Sequence, residues 1–342
     1  MGKTHGLTLG KFAPFHKGHQ LVIETALAEM DKVSVVIYDA PETTSIPLNI
    51  RSNWIKRLYP EVSVIEAWDG PTEVGDAPEI KRKHEKYITD HLKVSGITHF
   101  YSSEFYGEHM SIALGAINRL VDPPRNVIPV SGVKIRENPF LYREYVAPIV
   151  YQDLITNIVF LGAPSTGKTT IANKMADEYK TVWMPEYGRE YWENNQVNRK
   201  LSLEQLVEIA EEHLERENKL LCLANQYLFT DTNAITTSMF SMYYHQSVHN
   251  RLVELANLAQ SRYDLVFLCD VDIPYDDTWD RSGEVSRKTF QKQIIGDLLA
   301  RKVPFIVLRG DLESRIAKVR TVLNNFRKYE SLAEIFIKKE RN

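Results

Sequence analysis

Short apolar runs alternate with amphipathic stretches along most of the 342-residue chain. The run HGLTLG at residues 5–10 is typical of a buried strand, residues 17–30 carry apolar side chains at helical spacing, and VSVVIYDA at 33–40 is a second apolar run. Strand, helix and strand in this order indicate the parallel α/β unit with a right-handed crossover. The pattern therefore predicts a parallel sheet at the start of the chain.

The same alternation continues through the first half of the chain and then pauses. Further helices are predicted at 49–58, 78–93 and 106–120, and further strands at 62–68, 98–103 and 126–132. Around 137–157 two prolines, Pro139 and Pro148, indicate a short helix and a connector. We therefore predict two domains, residues 1–152 and residues 153–342.

Alternation restarts after this connector. Strands are predicted at 157–163, 181–186, 226–232, 264–271 and 303–310, and helices at 167–180, 202–221, 233–260, 286–302 and 311–327. The pattern as a whole predicts an α/β fold made of two tandem doubly wound parallel-sheet domains. In such domains ligands bind outside the carboxyl ends of the strands.

The amino-acid composition of the chain limits the kinds of molecule that it is expected to bind. Hydrophobic residues make up 43% of the chain and charged residues 25%, and the net charge is -3. These values are ordinary for a soluble globular protein and do not favour nucleic-acid binding. Cys222 and Cys269 lie too far apart for a metal motif, and no signal peptide or membrane-length apolar run is present. We expect a cytoplasmic protein that binds small molecules and neither nucleic acid nor a membrane. The sequence leaves open whether the chain forms a homo-oligomer.

The strongest motif is GAPSTGKTT at residues 162–170. Gly162, Gly167, Lys168 and Thr169 match G-x-x-x-x-G-K-[ST], after an apolar run and before a predicted helix. Backbone N–H groups and a helix N-terminus bind phosphates in such a loop, with the lysine on the β and γ phosphates and the hydroxyl on Mg²⁺. The remaining residues assigned to nucleotide binding here are Ser165, Thr166 and Thr170. The motif predicts ATP and Mg²⁺ as ligands.

Two carboxylates follow the next predicted strands of the second domain. Glu186 ends TVWMPE, and Asp231 lies in FTDT. Both fall at carboxyl ends of strands, where one could accept a substrate proton and the other hold Mg²⁺. We prefer Glu186 as base and Asp231 as metal or substrate ligand, and the reverse assignment stays open. Arg189, near Glu186, is a candidate substrate ligand.

Arginines follow the fourth predicted strand of this domain. Arg281 and Arg287 lie in or just after the charged stretch DVDIPYDDTWDRSGEVSR. They are candidates for a lid that closes over the transferred phosphate. A solvated polar loop is the alternative.

The chain also carries a histidine pair in GKFAPFHKGH at residues 10–19. His16 and His19 lie three residues apart and lack the further ligands of a metal site. No local Ser or Cys is paired with them as a nucleophile would be. Phosphate binding is the remaining interpretation, with Gly10 allowing close backbone approach.

This stretch closely resembles the G-x-F-x-P-x-H-x-G-H signature of the nucleotidylyltransferase superfamily. VSGVKIRENP at 130–139 resembles the second signature of that superfamily, and Ser131 and Arg136 match it. Val133 replaces the usual threonine, which removes one hydroxyl that would contact the triphosphate.

These two signatures, followed by the phosphate-binding loop, resemble the bifunctional nicotinamide-nucleotide adenylyltransferase/ribosylnicotinamide kinase family. The resemblance covers about residues 5–325 and does not include the N-terminal helix-turn-helix of some members. It implies a Rossmann-like nucleotidylyltransferase domain followed by a P-loop kinase domain. The second domain would phosphorylate nicotinamide riboside to its mononucleotide, NMN. The first would transfer AMP from ATP to NMN, giving NAD and pyrophosphate.

The resemblance also implies roles for single residues. His16, His19 and Arg136 would stabilise charge on the ATP phosphates, and Mg²⁺ would act in both domains. Further ATP ligands implied in the first domain are Gly10, Lys11, Phe12 and Ser131. Arg51 and Lys11 are candidates for the NMN phosphate. Candidate aromatic partners of the nicotinamide ring are Trp54, Trp68 and Trp183.

Two alternatives stay open at this point. The same folds could act on another acceptor, such as pantetheine phosphate, and a pyridine-nucleotide product would exclude this. One half could instead be degenerate and serve as an NAD- or ATP-sensing module, which binding without turnover would support.

Overall fold

The computed structural model describes residues 2–73, 75–104, 106–196, 201–275 and 284–330, without the side chains of 284–286. The chain forms two compact units. The first runs to Tyr151, and the second begins at Gln152 and runs to Lys328. The two parallel sheets and their flanking helices confirm the predicted α/β class.

The first unit is built on a five-stranded parallel sheet with the order β3-β2-β1-β4-β5. Its strands are β1 His5–Gly10, β2 Lys32–Tyr38, β3 Ser63–Ala67, β4 His99–Ser102 and β5 Ile117–Leu120. The order reverses between β1 and β4, and open α/β sheets bind ligands at such a switch point. The histidine stretch follows β1 directly.

The described residues up to Leu154 form six α-helices. They are α1 Lys17–Glu29, α2 Leu48–Leu58, α3 Pro78–Lys86, α4 Gly107–Leu114, α5 Gly132–Glu137 and α6 Pro148–Leu154. A π-helical turn, Tyr87–His91, extends α3, and a 3₁₀ turn spans Arg143–Tyr145.

Two predictions for the first unit were wrong. The helix predicted at 106–120 ends at Leu114, because Gly115 takes a left-handed conformation with φ 62° and caps it, and the chain continues as β5. No strand forms at 126–132. There the Asp122 carboxylate accepts hydrogen bonds from the backbone N–H groups of three residues, at 2.8 to 3.1 Å, so this backbone is held in a loop.

The second unit has a five-stranded parallel sheet with the order β10-β9-β6-β8-β7. Its strands are β6 Thr156–Leu161, β7 Trp183–Met184, β8 Tyr227–Asp231, β9 Leu265–Cys269 and β10 Ile306–Leu308. Its helices are α7 Lys168–Tyr179, α8 Tyr187–Asn195, α9 Leu203–Leu221, α10 Ala234–His245, α11 Asn250–Gln260, α12 Glu284–Ala300 and α13 Leu312–Asn325.

Differences from the prediction in this unit lie in its helices. The helix predicted at 233–260 is interrupted at Gln246, which is left-handed with φ 54°, and restarts as α11 after the His249 cap. Helix α8 was not predicted. Its sequence YGREYWENN buries none of its residues fully and so carries little apolar periodicity.

The strands explain where the functional loops lie. All six residues of β6 are buried, and apolar clusters pack on both faces of its sheet. Burial of such runs drives the fold and leaves the polar loops at the strand ends. Both candidate motifs therefore lie at the carboxyl end of the central strand of their unit, β1 or β6.

Candidate functional sites

A cavity of about 580 Å³ opens at the carboxyl end of β1. It brings together the two stretches that resemble the nucleotidylyltransferase signatures. The predicted residues that line it are Gly10, Lys11, Phe12, His16, His19, Ser131, Val133 and Arg136. Arg136 also donates a hydrogen bond to the backbone carbonyl of Ala13, 123 residues earlier in the chain. We call this cavity the histidine pocket.

Backbone hydrogen bonds fix the orientation of both histidine rings. His16 is the N-cap of α1, and its Nδ1 accepts from the N–H of Gly18 at 3.1 Å. The Nδ1 of His19 accepts from the backbone N–H of His16 at 3.3 Å, and the two rings stack with centroids 3.7 Å apart. In a neutral imidazole the nitrogen that does not accept carries the hydrogen. Both rings therefore keep Nε2–H as a donor.

Burial keeps the two histidines uncharged. It lowers the pKa of His16 to about 4, and the nearby Arg125 and Arg136 guanidinium groups act in the same direction. Burial also holds the pKa of His19 well below its ordinary value, with His16 and Arg125 adding to the effect. The pocket thus offers neutral N–H donors beside two cations. Such a set binds phosphate oxygens without the desolvation cost of two more buried charges.

We expect His16 and His19 to be neutral Nε2–H tautomers at pH 7 in the free protein. Imidazole ¹⁵N shifts would report this, with the His16→Asn variant assigning the His16 signal. The pKa of His16 in the folded protein lies below its value near 6.5 in the unfolded chain. The contribution of neutral His16 to the free energy of unfolding is therefore present above pH 6.5 and is lost as pH falls through about 4. A Nδ1–H tautomer, or protonation of His16 above pH 6, would contradict this.

The contacts and exposure of three further residues singled out in the sequence, Lys11, Ser131 and Val133, are as follows. Lys11 lies at the edge of the pocket and donates to Glu42 and to the Thr43 hydroxyl. Ser131 caps α5 by accepting from the N–H of Lys134 at 3.3 Å. Val133 is 54% exposed and lines the pocket, so a threonine there would present its hydroxyl without being buried.

Two predicted substrate ligands, Arg51 and Trp54, are buried side chains. Arg51 is fully buried and donates to the backbone carbonyls of Lys11, Tyr38 and Ile46. Its Nη2 also lies 3.4 Å from Asp39 Oδ1, so these contacts hold the guanidinium against the Lys11 loop. Trp54 is also fully buried, so its faces are not open to a nicotinamide ring.

The other two tryptophans proposed as stacking partners lie apart from the cavities. Trp68 is 56% exposed, and its indole N–H donates to Glu66 at 3.1 Å. Trp183 is in β7 and packs against the core of the second unit. Neither lines the histidine pocket or the pocket of the second unit described next.

The second pocket, about 510 Å³, surrounds the loop between β6 and α7. Gly162 has φ 142°, and a side chain there would come within 2.6 Å of the Cys269 carbonyl, so only glycine fits. Gly167 also needs its left-handed φ of 83°. The predicted residues that line this pocket are Gly162, Ser165, Thr166, Gly167, Lys168, Thr169, Thr170, Glu186 and Arg189. We call it the P-loop pocket.

Charged groups meet at the base of the P-loop pocket. The Thr169 hydroxyl donates to Oδ2 of Asp231 at 2.5 Å, and Lys168 Nζ donates to the Ala163 carbonyl at 3.1 Å. Asp231 is fully buried, and its Oδ1 has no partner within the described residues. Burial, reinforced by the Glu186 carboxylate, raises the pKa of Asp231 to about 6, against the opposing pull of Lys168 and Thr169. A cation bound at Asp231 would act in the same direction as Lys168 and lower this pKa.

Sequence comparison relates this chain to proteins of NAD metabolism. It is 28% identical over 347 residues to the trifunctional NAD biosynthesis/regulator protein NadR of Escherichia coli (strain K12), covering 92% of this chain and 82% of that protein. NadR of Salmonella typhimurium is 26% identical over 366 residues, with the same coverage. The chain is a homologue of the NadR proteins.

Two further comparisons agree with this relationship. A family described as an AAA domain matches residues 157–315, which lie in the second unit of this NadR homologue. Crystal structures of a NadR protein, one in complex with NAD and AMP-PNP and one in complex with NR, match at a TM-score of 0.56 and 22% identity. Each match covers 94% of this chain and 96% of that chain. At this identity the likeness shows that the fold is shared.

Three buried side chains hydrogen-bond to the backbone of the P-loop in this NadR homologue. Of these, only Arg287 was predicted as a site residue from the sequence. Arg315 in α13 donates to the Thr166 carbonyl at 2.7 Å, and Arg287 in α12 donates to the Ser165 carbonyl at 3.1 Å. Gln291 accepts from the N–H of Ala163 at 2.8 Å. Arg287 thus supports the loop from beneath and does not stand free as a lid arginine, whereas Arg281 lies outside the described residues. No local pattern distinguishes Arg315 or Gln291, because each is one of many polar residues in its helix.

The described residues carry no group of three or more His, Cys, Asp and Glu side chains placed to hold a metal. In the described part of the chain, no helix is both long enough and apolar enough to cross a membrane.

Asp231→Asn should stabilise the free protein at pH 7.5. The pKa of Asp231 is about 6 in the folded protein, against an ordinary value of 3.8 in the unfolded chain. The contribution of protonated Asp231 to the free energy of unfolding is therefore present below pH 3.8 and is lost as pH rises through 6. Two pKa units correspond to at most about 3 kcal/mol, or roughly 5 °C in Tm. Calorimetry without nucleotide or metal should show this gain, shrinking as pH falls to 4. The exposed Asp177→Asn variant is the control, and a lower Tm for Asp231→Asn at pH 7.5 would contradict the assignment.

Proposed function

We propose that this NadR homologue catalyses two consecutive steps of NAD synthesis. The second unit would phosphorylate nicotinamide riboside with ATP, and the first would join the resulting NMN to AMP from a second ATP. The observation that carries the proposal is that each unit has its own pocket at the carboxyl end of β1 or β6, lined by a stretch whose sequence is typical of phosphate binding. The NadR relatives, and the NadR structures that contain NAD, AMP-PNP and NR, support pyridine nucleotides as the substrate class.

The P-loop pocket supports phosphoryl transfer. Backbone N–H groups of the loop and the N-terminus of α7 would bind the ATP phosphates, and Lys168 would neutralise the β and γ phosphates. Glu186 lines the pocket, is only partly buried and caps α8 without using its side chain. We assign it as the base that removes the proton of the 5′-hydroxyl. That oxygen then bonds to the γ phosphorus while the bond to the β–γ bridging oxygen breaks, releasing ADP.

The remaining carboxylate is assigned to the metal. Asp231 is hydrogen-bonded to Thr169, and its second oxygen is buried without a partner among the described residues, so the pair fits Mg²⁺. The bound ion would neutralise charge on the β and γ phosphates and orient them. This division of roles places the buried carboxylate under the phosphates and leaves the more accessible Glu186 for the substrate.

The histidine pocket supports adenylyl transfer. A phosphate oxygen of NMN would attack the α phosphorus of ATP while the bond to the α–β bridging oxygen breaks, releasing pyrophosphate. The attacking group is already an anion, so no base is required. The pocket's contribution is to position the phosphates and to stabilise their charge. His16 and His19 would donate from Nε2, and Arg125 and Arg136 would supply positive charge.

The test is a time course with purified protein, nicotinamide riboside and Mg-ATP, followed by chromatography. NMN that rises and is then converted to NAD would support both steps. NMN that accumulates alone would mean that the first unit is inactive or uses another acceptor, and Val133→Thr would then be assayed. NAD that forms only from supplied NMN would reject the kinase step, and no pyridine-nucleotide product in either reaction would reject the proposal.

A further inference from the structure

Arg125 lines the histidine pocket from a loop whose backbone is closely held. The backbone is left-handed at Asp122, with φ 48°, and at Arg125, with φ 55°. The Asp122 carbonyl accepts from the Arg125 N–H at 2.9 Å, and the next three N–H groups donate to the Asp122 carboxylate. A left-handed φ is uncommon for an arginine, so these bonds fix the place from which its side chain extends.

The Arg125 guanidinium lies near both histidines and is open to solvent. Its positive charge contributes to the lowered pKa of His16 and of His19. Arg125 Nη2 donates to Glu104 Oε1 at 3.1 Å, and the two side chains are 43% and 45% exposed. A phosphate that enters the pocket can therefore reach the guanidinium, and Glu104 is the group with which it would compete.

Glu104 differs from the other carboxylates of the histidine pocket. Glu73 is paired with Lys83, which does not line the pocket, and the Asp122 carboxylate accepts from backbone N–H groups. Among the described residues that line the pocket, Glu104 is the one carboxylate that forms an ion pair with a cation of the same pocket. It therefore occupies a cation that a phosphate would otherwise find unpaired.

The relative strength of the two possible pairs favours an exchange of partners. An ion pair exposed to water contributes little free energy, because water screens it and two long side chains must be held in place. An arginine binds a phosphate more strongly, through two parallel charge-assisted hydrogen bonds. We propose that Arg125 is a phosphate ligand of the histidine pocket and that a nucleoside triphosphate must displace Glu104 to bind it. Glu104 thereby lowers the affinity of the pocket for ATP. This inference rests on the proposed adenylyl transfer and adds to it a residue that sets the affinity.

Titration of the full-length protein with ATP, without NMN, tests this proposal. The imidazole NMR signals of His16 and His19 report binding in the histidine pocket separately from binding in the P-loop pocket. Glu104→Gln should tighten ATP about two- to fivefold, the range expected for releasing an exposed ion pair. Arg125→Gln should weaken ATP at least about tenfold. The matched control is Glu108→Gln, which removes an exposed carboxylate of α4 outside the pocket and should leave the Kd unchanged.

A double variant separates an exchange of partners from simple repulsion. If Glu104 acts by occupying Arg125, its substitution has no effect once Arg125 is gone, so Arg125→Gln/Glu104→Gln should bind ATP as weakly as Arg125→Gln. Repulsion between Glu104 and the phosphates would persist without Arg125, so tighter binding by the double variant would overturn the proposal. So would unchanged or weaker binding by Glu104→Gln, or wild-type binding by Arg125→Gln.

Failure of this proposal is distinct from failure of the proposed reaction. Each of the three contrary results rejects the exchange at Arg125 while ATP still binds beside the histidines. Absence of any ATP-dependent shift of the His16 and His19 signals in the wild-type protein would reject adenylyl transfer in the first unit, and the role of Arg125 with it.

Discussion

Lys168→Met should lower phosphorylation of nicotinamide riboside at least about 100-fold and leave NAD formation from supplied NMN unchanged. Lys168 is 8% exposed, lies at the N-terminus of α7 and donates to a backbone carbonyl of the P-loop. Removing one buried charge that stabilises a developing phosphate charge costs about 3 kcal/mol or more. Methionine keeps the length of the side chain and removes the charge, so the fold should be retained.

The matched control is Lys174→Met, which changes an exposed lysine on the same helix. It should keep both activities and the wild-type Tm. Loss of both reactions in Lys168→Met, with an unchanged Tm, would contradict the assignment of one reaction to each unit. A kinase rate within about threefold of wild type would remove Lys168 from the reaction.

His16→Asn should impair the reaction that Lys168→Met leaves unchanged, the formation of NAD from NMN. Asparagine is a strong N-cap residue, so its side-chain oxygen can replace His16 Nδ1 as the acceptor for the Gly18 N–H, and α1 should stay capped. The asparagine side chain is too short to replace the Nε2–H donor. We therefore expect NAD formation from NMN to fall about 100-fold, with a Tm close to wild type and an unchanged kinase rate.

His16→Ala completes this experiment. It removes both the cap and the donor, so it should lose the same activity and also about 1 kcal/mol of stability. Equal Tm values for the two variants would mean that the cap contributes nothing. Adenylyl transfer by His16→Asn at the wild-type rate would show that the imidazole acts only as a cap.

The sequence located both stretches that line the two pockets, because each combines a short buried strand with a tight glycine-containing turn. The periodicity also predicted most elements of both sheets. It failed where a local backbone interaction overrides an apolar pattern, as at the Asp122 loop and at Gly115. The sequence also did not indicate that Arg51 and Trp54 are buried, since a charged or aromatic side chain is compatible with both a ligand and a structural role. Only the tertiary contacts of Arg51 distinguish these roles.

The hydrogen bonds between α13 and the P-loop backbone have a consequence for synthesis of the chain on the ribosome. Thr166 and Arg315, which hold each other at 2.7 Å, are 149 residues apart in the chain. At ordinary translation rates the ribosome needs about 7 to 30 s to add the second after the first. The nucleotide-binding loop is therefore synthesised long before the residue that fixes its shape. Until α13 has left the ribosome, a nascent chain would carry the complete P-loop sequence and still lack its binding conformation.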